Sequence, residues 1–169
     1  MASLIDELID TLDNENTEYE ALQELSSEKT GIIIKDDLDG LSRIIAKEQV
    51  HLDKITNLEK KRVEVINDIA IVLNKDVDTL TVKGIVDLLE GQKEEQQRLA
   101  RVHDKLKKTL RNVEVLNETN KGLIEEALEL INFNINYING LSQVPETANY
   151  TKDAYNQGQM GIATFDTKN

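Results

Sequence analysis

The sequence has no cysteine and no tryptophan, a single proline, and only 4% aromatic residues in 169. Lack of cysteine excludes a disulfide framework, a thiolate nucleophile and a thiolate-bound metal. Proline removes a backbone donor and breaks helices, so its near absence leaves room for long ones. No stretch approaches the roughly 18 uninterrupted apolar residues of a membrane span. The buried Val/Ile runs and Gly-rich turns of a doubly wound α/β enzyme are also missing. The start of the chain carries Asp6, Glu7 and Asp10 and no basic run, so no secretory signal is expected and the cytoplasm is the expected location.

Positive charge is scarce at one end. The net charge is −12, and residues 1–40 hold 12 Asp/Glu against 2 Lys/Arg. Such a segment repels phosphates and releases no counterions, so no nucleic-acid partner is expected. An anionic membrane surface is disfavoured for the same reason. The simplest reading of the segment is a solvated acidic helix face.

The chemistry-bearing inventory is equally thin. His51 and His103 each lie in a charged helical stretch with no second histidine at metal-ligand spacing. Two stretches superficially resemble calcium loops. In the first, Lys35 takes the first ligand position and Ala46 the twelfth. In the second, Thr79 replaces the required glycine and Ile85 the closing Glu. No Gly-x-Ser-x-Gly elbow or phosphate loop occurs. The expectation is a protein that is not an enzyme and holds no cofactor or metal.

What the sequence does contain is helical periodicity. Ser3 is a candidate N-cap for a first helix running to about residue 34, with Ile5, Leu8, Leu12, Tyr19, Leu22 and Ile33 at roughly 3–4 spacing. That seam lapses at Glu15, Ser26 and Lys29. Asp36 or Asp37 can cap a second helix carrying Leu38, Leu41, Ile45, Leu52, Ile55, Ile66, Ile69 and Leu73, interrupted by Glu48, Glu59 and Arg62. The short link between the two favours an antiparallel hairpin, because each seam needs a partner. Thr81 can cap a short third helix ending near Gly91.

The strongest pattern follows. Leu99, Val102, Leu106, Thr109, Val113 and Leu116 begin a 3–4 alternation that continues through Asn120, Leu123, Ala127, Leu130, Asn134 and Tyr137 to Leu141. It predicts a long C-terminal helix with Asn120 and Asn134 on the seam, where buried amides fix register. The fold class expected is all-α: an antiparallel helical hairpin, a short helix and a long C-terminal helix, forming an elongated three- or four-helix bundle or coiled coil. Residues 1–141 are read as one helical domain. Gly140, Pro145, Gly158, Gly161 and the polar composition around them mark 142–169 as a flexible tail.

From Leu123 onward a second apolar stripe joins the first, through Ile124, Leu128, Ile131, Ile135 and Ile138. Asn132, Asn134, Asn136 and Asn139 break it. Five of the six aromatics also fall within residues 133–169. A helix with one neighbour needs only one stripe. The stretch therefore either packs between the first two helices or offers a partner-binding face.

Several segments together resemble the FlgN family of flagellar export chaperones. They are the opening Ala2-Ser3-Leu4-Ile5-Asp6-Glu7-Leu8, Tyr19 and residues 22–29, Lys47-Glu48-Gln49, residues 57–62, Ile131-Asn132-Phe133 leading to Gly140-Leu141-Ser142, and the closing Phe165-Asp166-Thr167-Lys168. The resemblance implies a cytoplasmic chaperone of type III secretion in bacterial flagellum biogenesis. Its partners would be the flagellar hook-associated proteins of the hook–filament junction, together with components of the export apparatus, and a weak homodimer is compatible with it. It also implies cargo contact through the C-terminal amphipathic region, which here falls on Leu123, Ile124, Ala127, Leu128, Ile131, Ile135, Tyr137 and Ile138. The competing reading is a homo-oligomeric coiled-coil scaffold or adaptor, in which the doubled stripe is a self-assembly face.

Overall fold

A computed structural model of the chain describes residues 2–142, and the side chains of 3–141. With no proline or clustered glycine to stop them, the first 73 residues form two long helices, α1 (Ala2–Ile34) and α2 (Leu38–Leu73). A short α3 (Val82–Leu88) and a long α4 (Lys93–Ser142) complete an all-α bundle without strands among the described residues. The tail expected from residue 142 lies outside them, apart from Ser142 itself, which closes α4.

The helix boundaries follow local chemistry. Asp36 takes a left-handed φ of 54° between α1 and α2, a conformation short polar residues tolerate. Asp37 then caps α2, its Oδ1 accepting from the Gly40 amide at 2.8 Å. A Cβ at residue 40 would meet that carboxylate as it stands, so glycine there leaves the cap its room. Asn74, also left-handed, ends α2 with its amide donating to Ala70 and Ile71 carbonyls. Thr81 caps α3 as expected, through a 3.1 Å bond from the Gly84 amide. Ser3 is not a cap, because α1 already includes Ala2.

Cross-helix bonds set the directions. Lys29 meets Glu48, Glu18 meets His51, and Glu15 meets Arg62, so α2 runs antiparallel to α1. Asp6 meets Arg98, Asn16 meets Thr109, and Thr30 meets Asn120, at sequence separations of 92, 93 and 90. A constant separation means that α4 runs parallel to α1.

The main core gathers Ile5, Leu8, Ile9 and Leu12 from α1, Val65 and Ile69 from α2, Ile85 and Leu89 at α3, and Leu99, Val102 and Leu106 from α4. A smaller cluster of Leu22, Ile55 and Val113 lies further along. Each fully buried Ile or Leu contributes about 1.5–3 kcal/mol.

The lapses expected along the seams turn out to be seam residues. Glu15 and Ser26 are buried at 0% and 2% exposure. Glu15 takes a 2.6 Å bond from Arg62, and Ser26 donates to Asn117 and accepts from Asn120 through its backbone carbonyl. In α2 the buried isoleucine is Ile44; Ile45, expected on the seam, is 49% exposed. Ionic contacts also cover part of the acidic face expected to be solvated. Asp6, Glu7, Glu15, Glu18 and Glu20 all pair with bases of α2 or α4.

Candidate partner-binding surface

The chain divides into two compact units, Met1–Leu128 and Glu129–Asn169, and α4 contributes residues to both. Within the first unit, packing along α4 is regular as far as Asn120, which is 2% exposed. Its amide donates to the Ser26 carbonyl at 2.8 Å and its Oδ1 accepts from the Thr30 hydroxyl at 2.6 Å. Around this network the inward side chains are small and polar. Space that leucines would fill is left as a groove of about 490 Å³. Leu22, Leu52, Val113 and Ile124 form its apolar lining, and the Lys29–Glu48 ion pair, 2.9 Å long, bridges α1 and α2 beside it.

The groove contains Ile124, one of the residues singled out by the doubled stripe. Leu123, Ile124 and Ala127 are half-buried, and Leu128 is exposed. Leu52 was expected on the α2 seam; it is 43% exposed and faces this groove instead. That the buried Leu22 and the exposed Leu52 border a groove does not follow from their seam positions in the sequence. The available signal was the coincidence of Ser26, Thr30 and Asn120 at one level of the bundle, three small or polar residues where volume was needed.

The described residues of the second unit carry the rest of the stripe. Leu130, Ile131, Phe133, Ile135, Tyr137, Ile138 and Leu141 are all exposed, and Asn134, expected on a buried seam, is exposed too. Singly exposed apolar residues are ordinary, but seven within twelve positions is a concentration of exposed apolar surface.

Among the described residues no group of three or more His, Cys, Asp or Glu is arranged to hold a metal. The perturbed acids lie on the α1–α2 seam. Burial raises the Glu15 carboxyl above its ordinary range, partly offset by the charge and hydrogen bond of Arg62, with Glu59 adding to the rise. Glu18 is also partly desolvated, which pushes upward, yet the His51 hydrogen bond and the Lys54 charge outweigh this and lower it. Tyr19 is raised by burial and by the charge of Glu59, whose carboxylate accepts from its hydroxyl at 3.3 Å. Each of these groups is explained by its helix-to-helix partner, and none faces the groove.

The architecture defines an all-α protein of hairpin plus parallel long helix, with a groove and an unburied apolar helix end as its main surface features. The chain belongs to the FlgN family, whose model, described as FlgN protein, matches residues 1–158. Membership gives it the family's general role, that of a chaperone in flagellar export. No curated protein and no solved structure matches the chain. Among the described residues no helix is long and apolar enough to cross a membrane.

Proposed function

We propose that the chain is a cytoplasmic, non-enzymatic type III export chaperone that binds the terminal amphipathic helices of hook–filament junction proteins and shields them until secretion. The observation supporting this most is the exposure of Leu128, Ile131, Ile135 and Tyr137, at 53%, 52%, 49% and 61%. Leu123, Ile124, Ala127 and Ile138 complete the proposed contact face by helical spacing.

The physics is helix-in-groove pairing. Terminal segments of a filament protein carry apolar repeats meant for neighbours in the assembly, and as monomers they expose them. An amphipathic stripe on the chaperone covers that surface. A solid Leu/Ile face would hold cargo long, since affinity is tuned mostly through dissociation. The four asparagines that break this stripe suit a grip that components of the export apparatus can undo. In this reading residues 1–141 form the helical chaperone domain and 142–169 a tail, which a junction protein can engage as well.

Ile131→Asp combined with Ile135→Asp tests it. Both positions are half-exposed, so stability should change by no more than about 0.5 kcal/mol each. Calorimetric binding of a junction protein's terminal segment should fall by roughly a hundredfold, about 2.7 kcal/mol. Undiminished binding rejects the face. A stable oligomer in light scattering at micromolar concentration, lost in the same variant, would favour the self-assembling scaffold instead.

A further inference from the structure

A second groove in the first unit, of about 420 Å³, lies where the start of α3 meets α4. Its floor is apolar, built on the buried Leu12 and Leu106 with Val82 and Leu110 beside them. Its charged lining is basic, Arg62, Lys83 and Lys107, with no aspartate or glutamate among the described residues that line it; His103, also in the lining, has its ring 3.7 Å from Asp104. In a chain of net charge −12 this is an inversion of sign.

The bases divide into engaged and unengaged. The α4 stretch 98–111 holds six Lys/Arg and one Asp. Arg98 and Lys105 answer the α1 acids Asp6 and Glu20, and Arg62 answers Glu15. Lys83 and Lys107 form no ion pair or hydrogen bond with any described residue, and both are exposed. Two unneutralised ammonium groups beside an apolar floor are complementary to a helix that alternates leucines with carboxylates.

We propose that this groove docks an acidic amphipathic helical segment of another protein, its apolar residues on Leu106 and Leu110 and its carboxylates on Lys83 and Lys107. A peptide is favoured over a nucleic acid on three grounds. The floor is aliphatic, no Phe, Tyr or Trp lines the groove as a stacking platform, and the chain's overall charge repels an extended polyanion. None of its lining residues belongs to the face proposed for junction proteins.

The experiment uses the full chain and a short fluorescent peptide of helix-favouring sequence, with leucines at i and i+4 flanked by glutamates. A second peptide replaces those glutamates with lysines. The glutamate peptide should bind, with affinity falling as salt rises, and the lysine peptide should not. Lys107→Glu should weaken binding about tenfold or more, and Lys83→Glu combined with it further. Lys108→Glu, which changes the net charge equally on the same helix but does not line the groove, should leave binding unchanged. Circular dichroism confirms that each variant is folded. Ile131→Asp/Ile135→Asp should keep full peptide affinity.

Several results overturn the proposal. They are absence of binding, equal binding of the two peptides, equal effects of Lys107→Glu and Lys108→Glu, or loss of binding in the Ile131/Ile135 variant. So is a single-stranded oligonucleotide that binds as tightly and responds to the same substitutions, which would make the groove a general anion site. Wild-type dimers that Lys83→Glu/Lys107→Glu converts to monomers would assign the groove to a second copy.

Discussion

Glu15 and Glu18 stand three positions apart on α1 and respond to acid in opposite ways. Glu15 has no exposed surface and one carboxylate oxygen, Oε1, without a hydrogen-bond partner. Its folded-state pKa is raised above 4.5, so the folded chain holds this proton more tightly than the unfolded one. The contribution is greatest near and below pH 4.5 and is lost as pH rises through the raised value. Glu18 is depressed below 4.5, so its contribution is present above that value and lost as pH falls through the folded pKa. Urea titrations across this range should therefore show wild type gaining on Glu15→Gln as pH falls and gaining on Glu18→Gln as pH rises. Parallel pH dependence of the two variants would contradict the assignment. Removing Arg62 by Ala should cost about 2–3 kcal/mol at neutral pH, because it strands a buried carboxylate. The guanidinium is itself partly exposed, which keeps the figure below that of a fully buried pair.

At the scale of helices, the sequence pattern showed most of the elements and misjudged where their burial stops. The 3–4 alternation of α4 is unbroken to Leu141, yet the last buried residue is Asn120. The reason lies in the partner. α1 pairs with α4 at separations of 90 to 94 and ends at Ile34, so it runs out opposite about residue 126. Periodicity reports which face of a helix can be buried; only the length of the neighbour decides how much of it is. Glu15 and Ser26 were misread for a related reason, since a search for apolar spacing counts a polar seam residue as a gap, although here each gap is filled by a partner on another helix. Ile44 and Ile45 are adjacent and equally apolar, but only Ile44, eleven residues or about three turns before the buried Ile55, shares its face. Of the candidate site, the α4 stripe was legible and the two grooves were not, because grooves arise from volumes missing between helices.

The Asn120 network has an element-scale consequence of its own. It joins α1 to α4 through Ser26 and Thr30 in one register. Asn120→Leu should preserve helicity and thermal stability to within about 1 kcal/mol but allow α4 to slip, since a single buried amide sets register at some loss of stability. Amide spectra should then show doubled or broadened peaks for residues near 26 and 120. A single sharp set would show that the apolar contacts alone hold the register.

For the molecule as a whole, every residue buried among those described lies before Leu128. A chain ending at residue 128 should thus unfold within a few degrees of the full chain, a shift that corresponds to about 1 kcal/mol or less for a domain of this size. It should also lose capture of junction proteins while keeping affinity for the acidic peptide. That combination separates the two proposed faces; a truncated chain that fails to fold would show the stripe to be part of the core after all.

The order of contacts along the chain also bears on how the protein is made. α1 and α2 close around the short turn at residues 35–37, whereas α1 and α4 meet across some ninety residues. Closing the larger loop is entropically dearer, so on the ribosome the hairpin can zip while the later helix is still being synthesised. Until α4 arrives, the core that Leu8, Leu12 and Ile69 share with Leu99, Val102 and Leu106 lacks its α4 side. A chain proposed to shelter the apolar ends of others is thus itself incompletely covered until its own last helix is in place.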